Sequence, residues 1–285
     1  MEPEMIADYR CKVGENPLWH PDEEKVYWVD IPRGRLFRYD PATDQHEQCH
    51  QDDPIGGFTI QENGDLLLFM ARGAVRTWRD GIGETIIEDI PRERESRFND
   101  VIADPDGRVY CGTMSTPDQL GRLYRLDPDG SIRVMEEGIG TSNGMGFTAD
   151  RRHMYHTDTR AETIYTYDYD RNTGELSNRQ VFAQEESSQG RPDGMTVDAE
   201  GCIWSAFWDG GCVVRYSLEG EKMERITFPA QKVSCPSFGG EDYTDLYVTT
   251  AGGGDRPAEG EGAGGLFRVT PGVRGVAEFR SRICL

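Results

Sequence analysis

Four oxygen-bearing side chains, Glu15, Asn99, Asn143 and Asp193, each begin a similar short phrase of the sequence. In every phrase an apolar residue follows four positions later, and an aspartate or glutamate follows seven positions later. Two carboxylates and two amides without a cysteine or histidine would form a hard-oxygen site, which suits Ca²⁺, Mg²⁺ or Mn²⁺ better than structural zinc. If the four residues met in one place, the carboxylates would repel each other, and a divalent cation would relieve that repulsion.

A plainer interpretation of these positions stays open. Asn143 precedes Gly144, and Asp193 precedes Gly194. Such pairs are common in turns, because both residues tolerate positive φ. Turn preference explains one such pair without any chemistry. The recurrence of oxygen-bearing side chains at equivalent positions favours a ligand site.

The phrase occurs six times, because Gly56 and Ser234 begin two further copies. Successive starts lie 41, 43, 44, 50 and 41 residues apart. A period of this length, made of short strands and Gly/Asp/Pro turns, is typical of propeller blades. Each unit also contains a second hairpin, such as GRLFRYDPAT or GRLYRLDPDG. The sequence therefore predicts an all-β protein, a single six-bladed β-propeller domain over residues 1–285 with four-stranded blades around a central channel.

The propeller prediction places the six starts in one ring at the mouth of the channel, because equivalent positions lie at the same height. Gly56 and Ser234 are small and would leave room for a ligand. The segment IADYRCKV is expected to complete the last blade, and the Gly-rich residues 251–265 are expected to form a mobile loop. We expect three histidines to be structural, namely His20, His153 and His156. We expect five aromatic residues to pack between blades, namely Trp28, Tyr110, Tyr155, Trp204 and Tyr247.

Composition excludes some classes of partner. The formal net charge is −20 and the pI is near 4.6, which argues against nucleic acid or an anionic membrane, since both need a basic surface. The sequence has no signal-peptide-like segment or transmembrane-length apolar run. Seven scattered cysteines without a Cys-x-x-Cys pair indicate reduced thiols. We expect a cytoplasmic protein that is a monomer or a weak homo-oligomer.

Four segments carry a family resemblance: GENPLWHPDEEKVYWVDI, RFNDVIADPDGRVYCGTM, SNGMGFTADRRHMYHTDT and RPDGMTVDAEGCIWSAFWDGG. In this order and spacing they resemble the SMP-30/gluconolactonase/luciferin-regenerating family, and the resemblance covers essentially the whole chain. The segments HTDT and FGGEDYTDLYVTTA are most similar to its sugar-lactonase branch, which includes xylonolactonases. After Met114 the segment STPDQLG lacks a clear match to the acidic substrate-loop residue of the animal members, which leaves the choice of sugar open.

The resemblance implies a six-bladed propeller with one divalent metal in its channel. The family's metal ligands fall on Glu15, Asn143 and Asp193, and its substrate-contacting residues fall on Arg97 and Asn99. Asp193 also matches the general base. Ca²⁺ is favoured by the oxygen ligands, and Zn²⁺, Mg²⁺, Mn²⁺ and Fe²⁺ also occur in the family.

The predicted function is metal-dependent hydrolysis of a sugar lactone, a small-molecule substrate, to the aldonic acid. The metal would polarise the carbonyl and activate water. Asp193 would act as catalytic base, and Arg97 and Asn99 would orient the sugar. Two alternatives stay open. One is a phosphotriesterase-like, Ca²⁺-dependent hydrolase on the same propeller. The other is a non-catalytic binding propeller with a structural ion.

Overall fold

The computed structural model describes residues 2–186 and 188–285, and it consists almost entirely of β-strands. Within these residues, 24 strands form six four-stranded antiparallel sheets, with three short 3₁₀ helices between them. The innermost strand of each sheet packs against that of the next sheet, so the six sheets close into a ring. The predicted all-β, six-bladed propeller is confirmed. No helix in the described part of the chain is long and apolar enough to cross a membrane.

The strands follow one another in the same order in every blade, from the innermost to the outermost. Blades 1 to 3 comprise β2 Gly14–His20, β3 Lys25–Asp30, β4 Arg35–Asp40 and β5 Gln45–Gln51; β6 Ile55–Ile60, β7 Leu66–Met70, β8 Val75–Trp78 and β9 Thr85–Ile87; and β10 Phe98–Ala103, β11 Val109–Thr113, β12 Gly121–Leu126 and β13 Ile132–Ile139. Blades 4 to 6 comprise β14 Ser142–Phe147, β15 His153–Asp158, β16 Thr163–Asp170 and β17 Glu175–Gln184; β18 Arg191–Val197, β19 Ile203–Trp208, β20 Cys212–Tyr216 and β21 Lys222–Thr227; and β22 Lys232–Gly239, β23 Asp245–Ala251, β24 Leu266–Val269 and β1 Glu4–Ala7. The 3₁₀ helices are Ile31–Arg33, Pro91–Glu93 and Arg256–Glu259.

Burial decreases from the inside to the outside of a blade. Every residue of β6 and β14 is buried, whereas the outer strand β5 has no buried residue. Inner strands therefore consist of small residues, apolar residues and polar residues whose side chains are hydrogen-bonded within the protein, and outer strands are polar. The six repeat starts predicted from the sequence all fall within the first three residues of the six inner strands.

Aromatic side chains on the middle strands fill the spaces between blades. The five residues predicted there are at most 4% exposed: Trp28, Tyr110, Tyr155, Trp204 and Tyr247. Tyr110 of blade 3 contacts Phe147 of blade 4, with ring centroids 6.0 Å apart, and Trp204 of blade 5 contacts Phe238 of blade 6 at 6.1 Å. Such edge-to-face pairs add specific geometry to the apolar burial.

The last blade is closed by both ends of the chain. β1 pairs antiparallel with β24, with Met5 opposite Phe267. This confirms that the N-terminal segment completes the blade, although the strand ends at Ala7. The pairing removes the open edge that β24 would otherwise expose.

The Gly-rich residues 251–265, for which the composition predicts a mobile loop, make specific contacts in the structure. They contain the helix Arg256–Glu259 and are fixed at both ends. Arg256 donates two hydrogen bonds of 2.7 Å to the carboxylate of Asp8, and Lys232 forms an ion pair with Glu259. Charged side chains within the segment pair with charged side chains outside it, and composition alone does not reveal these contacts.

The final residues form a feature that the sequence did not suggest, which we call the C-terminal strap (residues 271–285). It crosses the end of the channel opposite the ring positions. Gly275 bridges Asp198 of blade 5, Phe279 packs on Phe147 of blade 4, and Ser281 bridges Gln61 of blade 2. The strap also contacts Tyr243 of blade 6, Asp22 of blade 1 and Gly107 of blade 3. The strap therefore ties all six blades together.

The packing of the strap gives a stability prediction. Ile283 is fully buried in the core between blades 2 and 3, whereas Leu285, two residues later, is 61% exposed. Ile283→Ala should lower the free energy of unfolding by about 2–5 kcal/mol, because it leaves a cavity in a packed core. Leu285→Ala should stay within about 0.5 kcal/mol of the parent protein. Chemical denaturation of both variants checks this, and equal stabilities would show that the strap adds little to the fold.

Candidate metal and substrate site

Every inner strand contains a β-bulge at the ring position. In β14 the three-residue step from Ser142 to Met145 spans the two-residue step from Asp158 to His156 on β15. The other five inner strands show the same one-residue excess, in the intervals 15–18, 55–57, 98–101, 192–195 and 233–235. A bulge bends the strand and redirects a side chain, and bulges are common beside active sites. The repeat thus produces the same local kink six times.

The ring residues line a pocket of about 310 Å³ at the open end of the channel. Glu15, Asn99, Asn143 and Asp193 all contribute to its wall, and Arg97 lines it too. The remaining lining residues are Val13, Met114, Thr141, Thr159, Arg191 and Trp208. The structure therefore brings together all five residues that were singled out as site candidates.

The two small ring residues do not leave room for a ligand as predicted. A Cβ atom on Gly56 would lie 2.1 Å from the carbonyl oxygen of Phe98, so the backbones of blades 2 and 3 approach closely there. Ser234 is fully buried, and its hydroxyl donates a 2.6 Å hydrogen bond to the carbonyl of Gly14. Both residues are small because neighbouring blades pack against them, and neither lines the pocket.

A directed chain of hydrogen bonds connects the polar residues of the pocket. Arg97 donates to Asn99 Oδ1 at 2.7 Å, and Asn99 donates to Asn143 Oδ1 at 3.0 Å. Asn143 in turn donates to Asp193 Oδ1 and, at 2.9 Å, to the hydroxyl of Thr159. The chain therefore runs from Arg97 to the Asp193 carboxylate and orients both amides.

Three buried carboxyl groups at and beside the pocket have raised pKa values. Burial, together with the charges of Asp100 and Asp193, raises the pKa of Glu15 well above its usual value. Burial and the charge of Asp100 do the same to Asp193. Burial raises the pKa of Asp100 to about 7, although Arg97 opposes this. Oδ1 of Asp100 has no hydrogen-bond partner among the described residues.

Two guanidinium groups oppose these pKa shifts: Arg191 acts on Asp193, and Arg97 acts on all three carboxyl groups. Burial lowers the pKa of Arg97 to about 10, against the opposing charges of Glu15 and Asp100. The group therefore stays protonated at neutral pH. Arg191 is itself paired with Asp209, so positive charge compensates the three carboxyl groups only in part.

The donor set fits a hard divalent cation. Glu15 and Asp193 offer carboxylate oxygens and Asn143 offers an amide oxygen, which are ligands that Ca²⁺, Mg²⁺ and Mn²⁺ prefer. No group of three His, Cys, Asp or Glu side chains in metal-binding proximity occurs within residues 2–186 and 188–285. A cation in this pocket would therefore depend on the amide oxygen as well as on the carboxylates.

The sequence interpretation did not single out Asp100, which lies beside the pocket, or the lining residues Arg191, Thr159 and Trp208. Asp100 directly follows a ring position, and Arg191 precedes one by two positions, as Arg97 does. Arg97 was identified through the family resemblance, and its spacing from Asn99 could have pointed to Arg191 in the same way. Thr159 and Trp208 lie at or just after the ends of second strands, and no sequence signal separated them from ordinary blade residues.

The buried histidines stay outside the pocket, as predicted. The ring of His20 hydrogen-bonds the carbonyl of Gly64 at 2.9 Å, and that of His156 hydrogen-bonds the hydroxyl of Ser142 at 2.8 Å. Burial lowers the pKa of His156 to about 4, so it is neutral at physiological pH.

Comparisons with known proteins agree with this architecture. A family model for the SMP-30/gluconolactonase/LRE-like region matches residues 13–252. The sequence is 48% identical over 287 residues to pentonolactonase XacC of Haloferax volcanii, covering 98% of each chain. It is 32% identical to regucalcin of Gallus gallus, covering 97% of each chain. A solved luciferin-regenerating enzyme matches with a TM-score of 0.90 and 28% identity, covering 99% of each chain.

The excess negative charge predicts opposite effects of two conservative substitutions. In chelator-treated protein at pH 8, Glu15→Gln should raise the free energy of unfolding by about 1 kcal/mol or more, the energy of roughly one pKa unit. The gain should shrink at pH 6. A carboxyl group whose pKa is raised in the folded state stabilises the fold at low pH, and this contribution is lost as the pH rises from its unfolded-state pKa through its folded-state pKa.

Glu93→Gln is the matched control for this prediction. Glu93 is equally buried, but Arg122 and Tyr124 each donate a 2.7 Å hydrogen bond to it. Removing its charge should destabilise the fold by about 3 kcal/mol, since it leaves a buried guanidinium without its counter-ion. Thermal or urea unfolding of both variants gives the comparison. A loss of stability in both would contradict the excess charge at Glu15.

Proposed function

The chain belongs to the SMP-30/gluconolactonase/LRE-like family, and from that premise we propose that it is a lactonase that hydrolyses a sugar lactone to the aldonic acid. The observation that carries the proposal is the pocket itself, in which buried carboxylates, oriented amides and a guanidinium converge at the open end of the channel. The 48% identity to a pentonolactonase over nearly the whole of both chains supports a pentonolactone as substrate.

One divalent cation is part of this proposal, with Glu15, Asn143 and Asp193 as its protein ligands and Ca²⁺ as the favoured ion. The uncompensated carboxylates and the all-oxygen donor set support it. When bound, such a cation supplies Lewis acidity, which polarises a carbonyl and makes nearby water more acidic. Asn99 lies beside this set, where its amide holds Asn143 in place.

The chain's own residues divide the work of hydrolysis. Asp193 accepts a proton from the water whose oxygen attacks the lactone carbonyl carbon. The ring C–O bond then breaks, and the departing ring oxygen takes up a proton to become the hydroxyl of the product acid. Arg97 donates hydrogen bonds to substrate oxygens, and Asn99 holds the substrate beside Asn143.

The cytoplasm is the proposed compartment. The seven cysteines are free, and six of them are wholly or partly buried. Thiols of this kind persist in a reducing environment.

The direct test is a pH-stat assay over pentono- and hexonolactones, with a phosphotriester in parallel. We expect acid release from at least one pentonolactone and none from the phosphotriester. Dialysis against a chelator should abolish the activity, and added Ca²⁺, Mg²⁺ or Mn²⁺ should restore it. Turnover of the phosphotriester alone would favour the other hydrolase, and no turnover at all would favour a binding propeller. Full activity without metal would remove the cation from the proposal.

Asp193→Asn tests the proposed base. The amide keeps the size of the side chain and an oxygen for coordination, but it cannot take up a proton at neutral pH. We expect kcat to fall by about 10²–10⁴-fold with the melting temperature and metal content retained. Asp80→Asn, at a surface carboxylate that is 72% exposed and paired with Arg38, is the control and should keep full activity. Activity of the Asp193 variant within a few-fold of the parent would exclude it as the base.

A further inference from the structure

The blade repeat creates a second tier of positions above the ring. The residues two places before the ring residues in blades 1, 3, 4 and 5 all line the same pocket: Val13, Arg97, Thr141 and Arg191. Two of these four carry a guanidinium. Arg97 sits over Asn99, whereas Arg191 begins β18 and stands two residues before Asp193.

Arg191 is half-buried and shares a wall of the pocket with an indole ring. The pairing of β18 with β19 sets Arg191 opposite Trp208, and both line the pocket. Residues that pair directly across two strands project from the same face of the sheet. The wall therefore combines a cationic hydrogen-bond donor with a large apolar surface.

Asp209 holds the Arg191 side chain in place. Arg191 Nη2 donates a 2.8 Å hydrogen bond to Asp209 Oδ2, the one side-chain hydrogen bond of Arg191 within the described residues. Lys232 Nζ lies 3.2 Å from the other carboxylate oxygen of Asp209 and 5.7 Å from the centre of the Trp208 ring. Lys232 is itself paired with Glu259. This arrangement fixes one edge of the guanidinium.

A guanidinium has five N–H donors, and Asp209 uses one of them. The remaining donors are available at a wall of the pocket, at the second tier and above the residues proposed for the reaction. A sugar lactone carries hydroxyl groups around its ring, and those groups both accept and donate hydrogen bonds. A site built to bind a hydroxyl discriminates strongly against an analogue that lacks it.

We propose that Arg191 is a specificity-determining residue that binds hydroxyl groups of the lactone, and that Asp209 is its positioning residue. This inference rests on the proposed lactonase function and adds to it. Arg97 and Arg191 then contact the sugar from two blades, and Trp208 supplies the apolar surface between the strands.

The test compares Arg191→Met with the parent protein on two lactones that have the same five-membered ring. One is a pentono-1,4-lactone, and the other is γ-butyrolactone, which has no hydroxyl groups. On the pentonolactone, kcat/KM should fall by about 10–100-fold, mainly through KM, the effect of losing a hydrogen bond to a charged group. On γ-butyrolactone it should stay within about twofold. Arg191→Lys should recover part of the loss.

Asp209→Asn should raise KM for the pentonolactone by a smaller factor and leave kcat nearly unchanged, because Arg191 remains but is held less firmly. Arg171→Met is the matched control. Arg171 also forms an exposed ion pair, at 2.9 Å to Asp106, but it does not line the pocket. Arg171→Met should leave kcat and KM unchanged for both lactones. Melting temperatures of all variants establish that they are folded.

Two results would overturn the inference while the lactonase function stands. Equal losses on both lactones would assign Arg191 to the reacting centre or to the fold, and no loss on either would make it a surface residue. A parent protein without any lactonase activity would overturn the proposed function, and the role of Arg191 would fall with it.

Discussion

Closure of the propeller brings the carboxyl groups of Glu15, Asp100 and Asp193 close together in its interior, where Arg97 and Arg191 balance only part of their charge. Charges held this way are costly because burial removes them from water and they repel one another. Proteins retain such arrangements where function requires them, and the rest of the fold must offset the cost. The proposed cation would relieve the same repulsion that weakens the cation-free protein.

The rest of the molecule supplies the rigidity that this arrangement needs. The site residues stand on inner strands whose neighbours are buried on both sides, and a bulge in each inner strand redirects the chain at the ring position. Aromatic contacts between blades and the C-terminal strap hold the strands at fixed distances. Because no blade contributes more than three side chains to the pocket, the geometry of the site depends on how the blades pack and very little on the conformation of single loops. Sites built on strands in this way are positioned more accurately than sites built on loops.

The two tiers of the pocket have different chemical characters. Around the ring, carboxylates and amides form a hydrogen-bond chain that ends at Asp193. The guanidinium of Arg191 and the indole of Trp208 lie above the ring, at the second tier and at the end of β19. An ion-pair network at the rim of blades 5 and 6 holds them in place. Both tiers come from the same repeat, since residues two apart on an extended strand project to the same side. A change in a second-tier residue can therefore alter which sugar is bound without altering the residues that carry out the reaction.

The sequence by itself determined the fold class, the number of blades, the closure of the last blade and the set of oxygen-bearing ring residues, because each rests on a local pattern that recurs in every blade. Arg97 was identified through the resemblance to a known family. The tertiary structure alone decided which small ring residues serve packing, since Gly56 and Ser234 are small on account of neighbouring blades that are remote in sequence. It also decided the anchoring of residues 251–265, the course of the strap and the excess charge around Asp100. These features depend on contacts between segments that are distant in the sequence and on the exclusion of water from those contacts. A local sequence pattern shows neither the contacts nor the burial.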